Sequence, residues 1–212
     1  MPVSPRIRRL RTDHRAMEKI RAESSIVEFS CAGDPPNSYR IRFRGNGLAR
    51  SDATGRVQVR ETHDVRVELG ASYPRQMPQL TWETPIFHPN ISGSGAVCLG
   101  GFGTYWVPSL NLDELCEMLW DMIRYKNFDV ESPYNRDAAA WAKTQTQFRL
   151  PVDPRSVRDK VAAQREPQAP AGPTAPPVIR AEPADAEVLF LDDDVVQAEL
   201  AGADDDDILI IE

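Results

Sequence analysis

The segment between residues 84 and 111 constrains the fold most, because it is long and has neither helical nor strand periodicity. Prolines and glycines are spread along it, among them Pro89, Gly95 and Pro108. These residues hold an irregular chain in shape without the hydrogen bonds of a sheet ladder. An irregular segment of this length inside a compact domain is usually functional. We therefore expect the chemistry of the protein to lie here.

Periodic elements precede and follow this segment. A helix is predicted over Pro5–Glu23, with Ser4 as the N-cap, since its apolar positions recur every three or four residues. Strand patterns are expected at Ser25–Ala32, Ser38–Arg44, Asp64–Gly70 and Gln79–Glu83, and further helices at Leu112–Arg124, Asn135–Phe148 and Pro154–Arg165. This order predicts an α+β fold: an N-terminal helix, a four-stranded antiparallel meander, a long active-site loop and C-terminal helices.

The charge of the chain changes sign near residue 166. Residues 1–166 hold 24 basic and 20 acidic side chains, whereas residues 167–212 hold one basic and 12 acidic ones. The segment 167–186 contains six prolines, which is typical of an extended, disordered linker. We therefore predict a catalytic domain at 1–166, a linker at 167–186 and a disordered acidic tail at 187–212.

The tail contains two short apolar runs beside acids, 188–191 and 208–211. Such a run could add as a strand to the edge of a partner's sheet, or the tail could simply be a solvating acidic segment. The second run resembles motifs that bind small ubiquitin-like modifiers, and it consists of Ile208, Leu209, Ile210 and Ile211.

Three cysteines are too few and too scattered for a disulfide framework, and they suit a reducing compartment. The cysteines and the three histidines also lack the paired spacing of a zinc site. No apolar run reaches the roughly 20 residues that span a bilayer. We expect a cytoplasmic protein without metal or membrane contact.

Cys98 is the one cysteine placed among turn-forming residues of the irregular segment. There a sulfur can be reached by two large proteins, and a thiolate is both a good nucleophile and a good leaving group. The alternative is a small buried hydrophobic side chain. We assign that alternative to Cys31 and Cys116, because each lies within a predicted strand or helix.

Several motifs stand in register around Cys98. Asn90 lies eight residues before Cys98, and Trp106 lies eight residues after it. The motifs are Tyr73-Pro74-Arg75-Gln76-Met77-Pro78, His88-Pro89-Asn90, Cys98-Leu99, Trp106-Val107-Pro108 and Ser132-Pro133-Tyr134-Asn135 followed by Ala138, Ala139 and Trp141. Together they resemble the catalytic core of the ubiquitin-conjugating enzymes, over about residues 1–166 and most strongly over 73–141.

This resemblance implies a transferase that uses no cofactor. Cys98 would accept a ubiquitin-like modifier as a thioester from an activating enzyme and pass it to an amine of a protein substrate, most often a lysine. Asn90 would stabilise the oxyanion, although by its own chemistry it could equally pin the loop through backbone bonds. The resemblance gives His88, Pro89, Trp106 and Pro108 supporting roles.

Two positions depart from the family's pattern. Ser132 stands where many members carry an acid that orients the incoming lysine, and the nearby Asp129 and Glu131 could substitute for that acid. We expect weak intrinsic reactivity toward lysine unless a ligase or the substrate supplies the carboxylate. Arg75 stands where members that use a ligase often carry a large aromatic residue. Val107 and Ser109 belong to the second loop that family ligases touch. Plain surface variation would also explain both loops.

The first helix is basic on the faces outside its apolar stripe. The resemblance makes this the docking surface for the activating enzyme, and an acidic partner would be steered to it. Nucleic acid is a weaker alternative because no aromatic residues are interleaved and the chain has a net charge of -7. The arginines assigned to this surface are Arg6, Arg8, Arg9 and Arg11.

Two other functions stay open at this point. A binding module of the same fold would carry modifiers without chemistry, but such variants usually lack the cysteine. A cysteine hydrolase would need a base and an oxyanion hole around the thiol, and no glycine-flanked cysteine opens a helix here. The composition, rich in Ala, Arg, Asp and Pro, is typical of a bacterial chain. Bacterial members of this kind resemble components of conjugation operons, several of them antiphage, so we predict that context.

Overall fold

The computed structural model describes residues 4–99 and 107–165. The first helix, α1, covers Pro5–Glu23. Four strands follow, β1 (Val27–Gly33), β2 (Pro36–Arg50), β3 (Val57–Glu68) and β4 (Gln79–Trp82). Three helices complete the described part: α2 (Leu112–Ile123), α3 (Arg136–Thr144) and α4 (Asp159–Arg165). The predicted α+β architecture is confirmed.

The strands form one antiparallel sheet in the order β1-β2-β3-β4, as the meander predicts. Side chains on β2 alternate, so that Tyr39, Ile41 and Phe43 are buried while the arginines between them are exposed. On the exposed face these arginines form ion pairs with acids of neighbouring strands, for instance Arg42 with Asp64 at 2.8 Å. The sheet therefore has one apolar face for the helices and one charged face.

β2 and β3 are longer than the sequence patterns indicated, because the ladder continues past an irregularity between Arg44 and Gly47. Close neighbours on α2 and on β3 require glycine there. A Cβ atom at Gly45 would lie 2.4 Å from the ring of Trp120, and one at Gly47 would lie 2.5 Å from His63. The glycines that look like strand ends are therefore sites of close approach within the sheet.

The core lies between the sheet and the helices α1 and α2. Ser4 caps α1 by accepting from the amide of Ile7 at 3.3 Å. Helix α2 begins with a capping box in which the Asn111 amide donates to Glu114 at 2.6 Å. The two helices meet through fully buried side chains, including Met17 and Cys116, whose sulfur atoms are 3.6 Å apart.

Ion pairs hold the start of the last helix, α4, against α1 and α2. Arg158, just before α4, forms ion pairs with Glu23 of α1 and with Asp113 and Glu117 of α2, the last at 2.7 Å. The carboxylate of Asp159 accepts from the Ser25 amide at 2.7 Å. Helix α4 begins at Asp159, later than the predicted Pro154. Arg158, the residue before it, makes the ion pairs to α1 and α2. Helix α3 also ends earlier than predicted, at Thr144.

Candidate active site

The segment 87–91 turns inside the fold and presents its backbone to Cys98. Phe87, His88, Pro89 and Asn90 are all buried. Isolated bridges pair His88 with Ile91 and Ile91 with Val97, so the chain doubles back on itself before it reaches the cysteine. The irregular segment is thus ordered by local hydrogen bonds rather than by a long ladder.

Gly95 makes the return possible. Its φ of +85° is one that residues with side chains rarely adopt, and a Cβ atom there would lie 2.2 Å from the carbonyl oxygen of Trp82. The close approach also allows a hydrogen bond, in which the Trp82 amide donates to the Gly95 carbonyl at 2.7 Å. This contact ties the turn to the end of β4 and fixes the direction in which residues 96–99 run.

Cys98 lies at the surface of this arrangement. Its side chain is partly exposed, whereas the neighbours Val97 and Leu99 are buried. Its amide donates to the Asn90 carbonyl at 2.8 Å. Cys98 is therefore partly exposed while its backbone is held against the Asn90 turn.

The side chain of Asn90 forms hydrogen bonds through both its oxygen and its nitrogen. Its Oδ1 accepts from the Asp129 amide at 2.7 Å, and its Nδ2 donates to the Asp129 carbonyl at 2.9 Å. Asn90 is only 2% exposed, so these bonds are made away from bulk water. The Nδ2 group carries a second hydrogen, and no bond to residues 4–99 or 107–165 uses it. Loop pinning and donation to a developing oxyanion are thus compatible.

His88 is a structural residue in this geometry. Its Nδ1 accepts from the Asn90 amide at 3.1 Å, and its ring packs edge-on against Tyr125 at a centroid distance of 4.9 Å. Burial lowers the pKa of His88 to about 3, against an opposing contribution from the backbone of Asn127. The ring is therefore neutral at ordinary pH and inaccessible to a substrate.

The turn at 129–135 forms the other wall of the site. Asp129 Oδ1 accepts from the amides of Glu131 and Ser132 at 2.8 and 3.3 Å, which closes the turn. Glu131 pairs with Lys143 at 2.9 Å. The Asn135 amide donates to the Pro89 carbonyl at 2.8 Å. Ser132 is exposed; of the two nearby acids, Asp129 accepts these bonds through Oδ1, and the side chain of Glu131 is 81% exposed in its pair with Lys143.

Residues assigned to ligase contact are exposed where the structure describes them. Arg75, Val107, Pro108 and Ser109 all lie at the surface. Trp106 and the apolar run 208–211 lie outside the described residues, as do the predicted linker and tail.

The prediction for Arg9 needs correction. Arg8 and Arg11 are exposed, as expected for a docking surface, but the Arg9 guanidinium turns inward. It pairs with Asp13 at 2.8 Å, donates to Tyr73 at 2.9 Å and also donates to the carbonyls of Pro108 and Leu110. Arg6 keeps part of its surface but donates to the Leu69 carbonyl at 3.0 Å.

Sequence reasoning missed Asp13, which organises this network. It is fully buried and accepts from Arg9, from the Tyr73 hydroxyl at 2.7 Å and from the Leu112 amide at 3.1 Å. A signal was present, because Asp13 falls between Leu10 and Met17 on the apolar stripe of α1. A charge at such a position is retained in a fold only with partners.

The prediction for Cys31 was wrong, whereas that for Cys116 is confirmed. Cys31 is exposed, as are all the residues from Ser30 to Gly33 at the end of β1. Cys116 is completely buried in α2, and desolvation raises the pKa of its thiol. Cys31 is therefore exposed and Cys98 partly exposed, but only Cys98 lies in the irregular segment.

Neither a metal site nor a membrane helix is found within the described ranges. Residues 4–99 and 107–165 contain no group of three or more His, Cys, Asp or Glu side chains that could hold a metal ion. The same ranges contain no helix that is long and apolar enough to cross a bilayer.

Known proteins resemble this chain in sequence and in fold. Residues 57–153 match the family model of the ubiquitin-conjugating enzymes. The probable ubiquitin-conjugating enzyme E2 31 of Arabidopsis thaliana is 31% identical over 104 residues, which are 47% of this chain and 68% of the relative. Ubiquitin-conjugating enzyme E2 16 of Schizosaccharomyces pombe is 37% identical over 82 residues, or 38% of this chain.

The share of each protein that is matched, and the identity of the structural match, decide what these similarities show. The chain spans about half, 49%, of the Schizosaccharomyces pombe relative. Among solved structures, Ubc12 of Saccharomyces cerevisiae matches with a TM-score of 0.53 at 19% identity, covering 69% of this chain and 76% of that one. At this identity the structural match shows the fold alone. The Arabidopsis relative goes further: at 31% identity, with 68% of its length covered, it shows that the chain belongs to the ubiquitin-conjugating enzyme family, in agreement with the family model.

Proposed function

We propose that this protein is an active conjugating enzyme that carries a ubiquitin-like modifier as a thioester on Cys98. One observation carries the proposal: a partly exposed cysteine whose backbone amide is hydrogen-bonded to the Asn90 carbonyl at 2.8 Å. A binding module without chemistry would have no need of an exposed thiol at this place. A cysteine hydrolase needs a base that reaches its thiol, whereas His88, the histidine of this segment, is fully buried and its Nδ1 accepts from the Asn90 amide at 3.1 Å.

The reaction takes place in two exchanges. In the first, the Cys98 thiolate attacks the carbonyl carbon of the thioester on the activating enzyme. A new carbon–sulfur bond forms, the old one breaks, and the activating enzyme's thiolate leaves. In the second, an amine attacks the same carbon, a carbon–nitrogen bond forms, and Cys98 leaves as a thiolate while the amine releases a proton to water. ATP is consumed upstream, so neither exchange needs a cofactor here.

Asn90 supports both exchanges from within the fold. Its bonds to Asp129 hold the turns at 88–91 and 129–132 together, and they orient the remaining Nδ2 hydrogen. When the tetrahedral intermediate forms, the former carbonyl oxygen becomes negative, and an amide donor nearby stabilises it. A donor already fixed by two bonds needs no reorganisation at that moment.

The partners follow from the surfaces. The exposed arginines Arg8 and Arg11, together with Arg6, form the proposed docking face for an activating enzyme. Arg75, Val107 and Ser109 form the proposed ligase-facing surface, where an arginine disfavours an apolar ligase pocket. The run from Ile208 to Ile211 is proposed to bind a modifier. The domain limits at 166 and 186, the bacterial origin, the antiphage role and the cytoplasmic location stay predictions.

A charging assay tests the proposal. The full chain is incubated with candidate ubiquitin-like proteins, their activating enzymes and ATP, and the products are separated on a non-reducing gel. We expect an adduct that disappears on reduction and that Cys98→Ala abolishes. Cys31→Ala is the matched control, because Cys31 is also an accessible thiol, and it should leave the adduct unchanged. An adduct that depends on Cys31 would contradict the proposal.

A further inference from the structure

A cavity opens between α1 and the turn that joins β1 to β2. Its volume is about 670 Å³, which is within the range of pockets that bind small molecules. Side chains of α1 line one wall, and residues 34–36 at the turn line the other. None of the lining residues belongs to the site around Cys98, so a ligand here would be separate from the chemistry of the thiol.

Three arginines of α1 line this cavity without a partner of opposite charge. Arg8, Arg11 and Arg15 recur at three- and four-residue spacing, which places them on one face of the helix. All three are exposed, and no carboxylate in the described part of the chain pairs with any of them. Arg15 donates to neutral acceptors of its own helix, the Arg11 carbonyl and the Thr12 hydroxyl, each at 3.3 Å. The positive charge of these arginines is therefore left for a ligand.

Arginines on the neighbouring sheet show the contrast. On its exposed face the Arg40 guanidinium pairs with Glu83 at 2.6 Å, and that of Arg44 pairs with Glu28 at 2.7 Å. The unneutralised charge of the cavity therefore does not continue across these positions as the long basic surface that nucleic acid requires. A compact anion fits this local charge better than a polymer does.

The opposite wall of the cavity has a different character. Pro35 and Pro36 are partly buried and offer apolar ring surfaces. Asp34, beside them, is the acid among the lining residues, and the three arginines outweigh it. A ligand for this cavity is therefore anionic on the side of α1 and apolar on the side of the turn.

Phosphate groups suit the helix wall. A planar guanidinium donates two parallel hydrogen bonds to a phosphate, which makes arginine a preferred partner of phosphates. Arg8 and Arg15 are separated by about 10 Å along the helix axis, since each residue rises by about 1.5 Å. A chain of phosphates can therefore contact more of the three arginines than a single phosphate can.

We propose that this cavity binds a small soluble molecule with the chemistry of a nucleoside polyphosphate. Its phosphates contact Arg8, Arg11 and Arg15, and its nucleoside packs against Pro35 and Pro36. The inference goes beyond the proposed function, because binding requires neither a thioester nor an activating enzyme. Since Arg8 and Arg11 also belong to the proposed docking face, a bound nucleotide would compete with the activating enzyme for them.

Isothermal titration of the uncharged full chain with ATP, without divalent metal ions and at low ionic strength, tests the inference. We expect one site, although the chain as a whole has a net charge of -7. The double variant Arg11→Gln/Arg15→Gln should raise the Kd about tenfold, because two guanidiniums that bind phosphate are lost. Glutamine is a good helix former, so α1 should be kept, and the urea midpoint of the variant checks this.

The matched control is Arg56→Gln/Arg136→Gln, which removes the same number of charges. Both arginines are exposed and lie outside the cavity lining, so the Kd should stay unchanged. Equal weakening in the two double variants would mean that ATP senses only the overall charge, and it would overturn the inference. Absence of binding to the unaltered chain overturns it as well. So does a polyglutamate peptide that binds more tightly than ATP, since the arginines would then serve an acidic protein.

Discussion

At the scale of single residues, Asn90 connects the two turns that form the site. Its side chain satisfies the amide and the carbonyl of Asp129, and its own carbonyl holds the Cys98 amide. Each of these backbone groups would cost free energy if it were buried without a partner. The residue that the resemblance assigns to oxyanion stabilisation is thus also responsible for the shape of the site.

Substituting Asn90 should therefore affect stability as well as rate. In Asn90→Ala the amide and carbonyl of Asp129 lose their partners, and we expect the free energy of unfolding to fall by about 1–3 kcal/mol. Chemical denaturation measures this loss, and single-turnover discharge of the charged protein measures the rate. A variant that discharges slowly but unfolds like the unaltered protein would show that Asn90 acts on the oxyanion without pinning the loop.

Ser132 is the position from which we predict how the protein reacts with amines. A serine accepts a hydrogen bond but supplies no fixed negative charge, and the nearby acids are engaged. We expect slow discharge to free lysine, and we expect Ser132→Asp to accelerate it, since an added carboxylate helps to orient and deprotonate the amine. Discharge rates of the two proteins across pH check this. Fast discharge by the unaltered protein that Ser132→Ala leaves unchanged would count against the account.

At the scale of elements, a buried polar network joins α1 to both loops that are proposed to face a ligase. Asp13 accepts from Arg9, from Tyr73 of the β3–β4 connection and from Leu112 at the start of α2. The Tyr73 hydroxyl is buried, and its pKa is raised mainly by desolvation and further by the Asp13 bond. Helix α1 therefore holds both loops through Arg9 and Asp13, while its other arginines, Arg8 and Arg11, are exposed.

Breaking this network should destabilise the protein more than breaking a surface pair. In Asp13→Asn the buried charge is lost, and Arg9, whose side chain is only 14% exposed, has no ion-pair partner. We expect a loss of about 3 kcal/mol in the free energy of unfolding. The matched control is Glu18→Gln, which removes an ion pair with Arg21 on the exposed face of α1 and should cost less than about 1 kcal/mol. Equal losses in the two variants would contradict the buried role.

The elements also show how far sequence reasoning reaches. The bounds of α1 follow from Ser4, Pro5 and the apolar stripe, and the structure has the same bounds. The full length of β2 was not predictable, because the contact that places Gly45 against Trp120 joins positions far apart in sequence. The Cys98 loop was identified from the spacing of its motifs, whereas the pairing of Asn90 with Asp129 depends on two turns that meet only in the folded chain.

At the scale of the whole molecule, two buried histidines make the fold sensitive to acid. Burial lowers the pKa of His63 from 6.5 to about 4 and that of His88 from 6.5 to about 3. The unfolded chain binds protons on both rings below pH 6.5, while the folded protein does not. Their contribution to stability is therefore complete above pH 6.5 and is lost as the pH falls toward 4 and then 3.

The predicted result is a free energy of unfolding that decreases steadily below pH 6.5. Each histidine contributes a loss of roughly 2 kcal/mol by pH 5, because one pKa unit corresponds to about 1.4 kcal/mol. Asp64, whose pKa is lowered mainly by its hydrogen bond to Arg42, adds to the loss only below its ordinary pKa of 3.8. Urea denaturation at several pH values measures the slope. Stability that stays constant between pH 6.5 and 4.5 would contradict this account.

The central claim is that Cys98 carries the modifier, and Cys98→Ser tests it most directly. A serine at this position should be acylated through its oxygen, giving an ester that resists thiol reagents, so that the adduct survives digestion and can be mapped by mass spectrometry. The account predicts a modified peptide that contains residue 98, formed only with an activating enzyme and ATP. A modifier attached at Cys31, or at a lysine with position 98 unmodified, would contradict it.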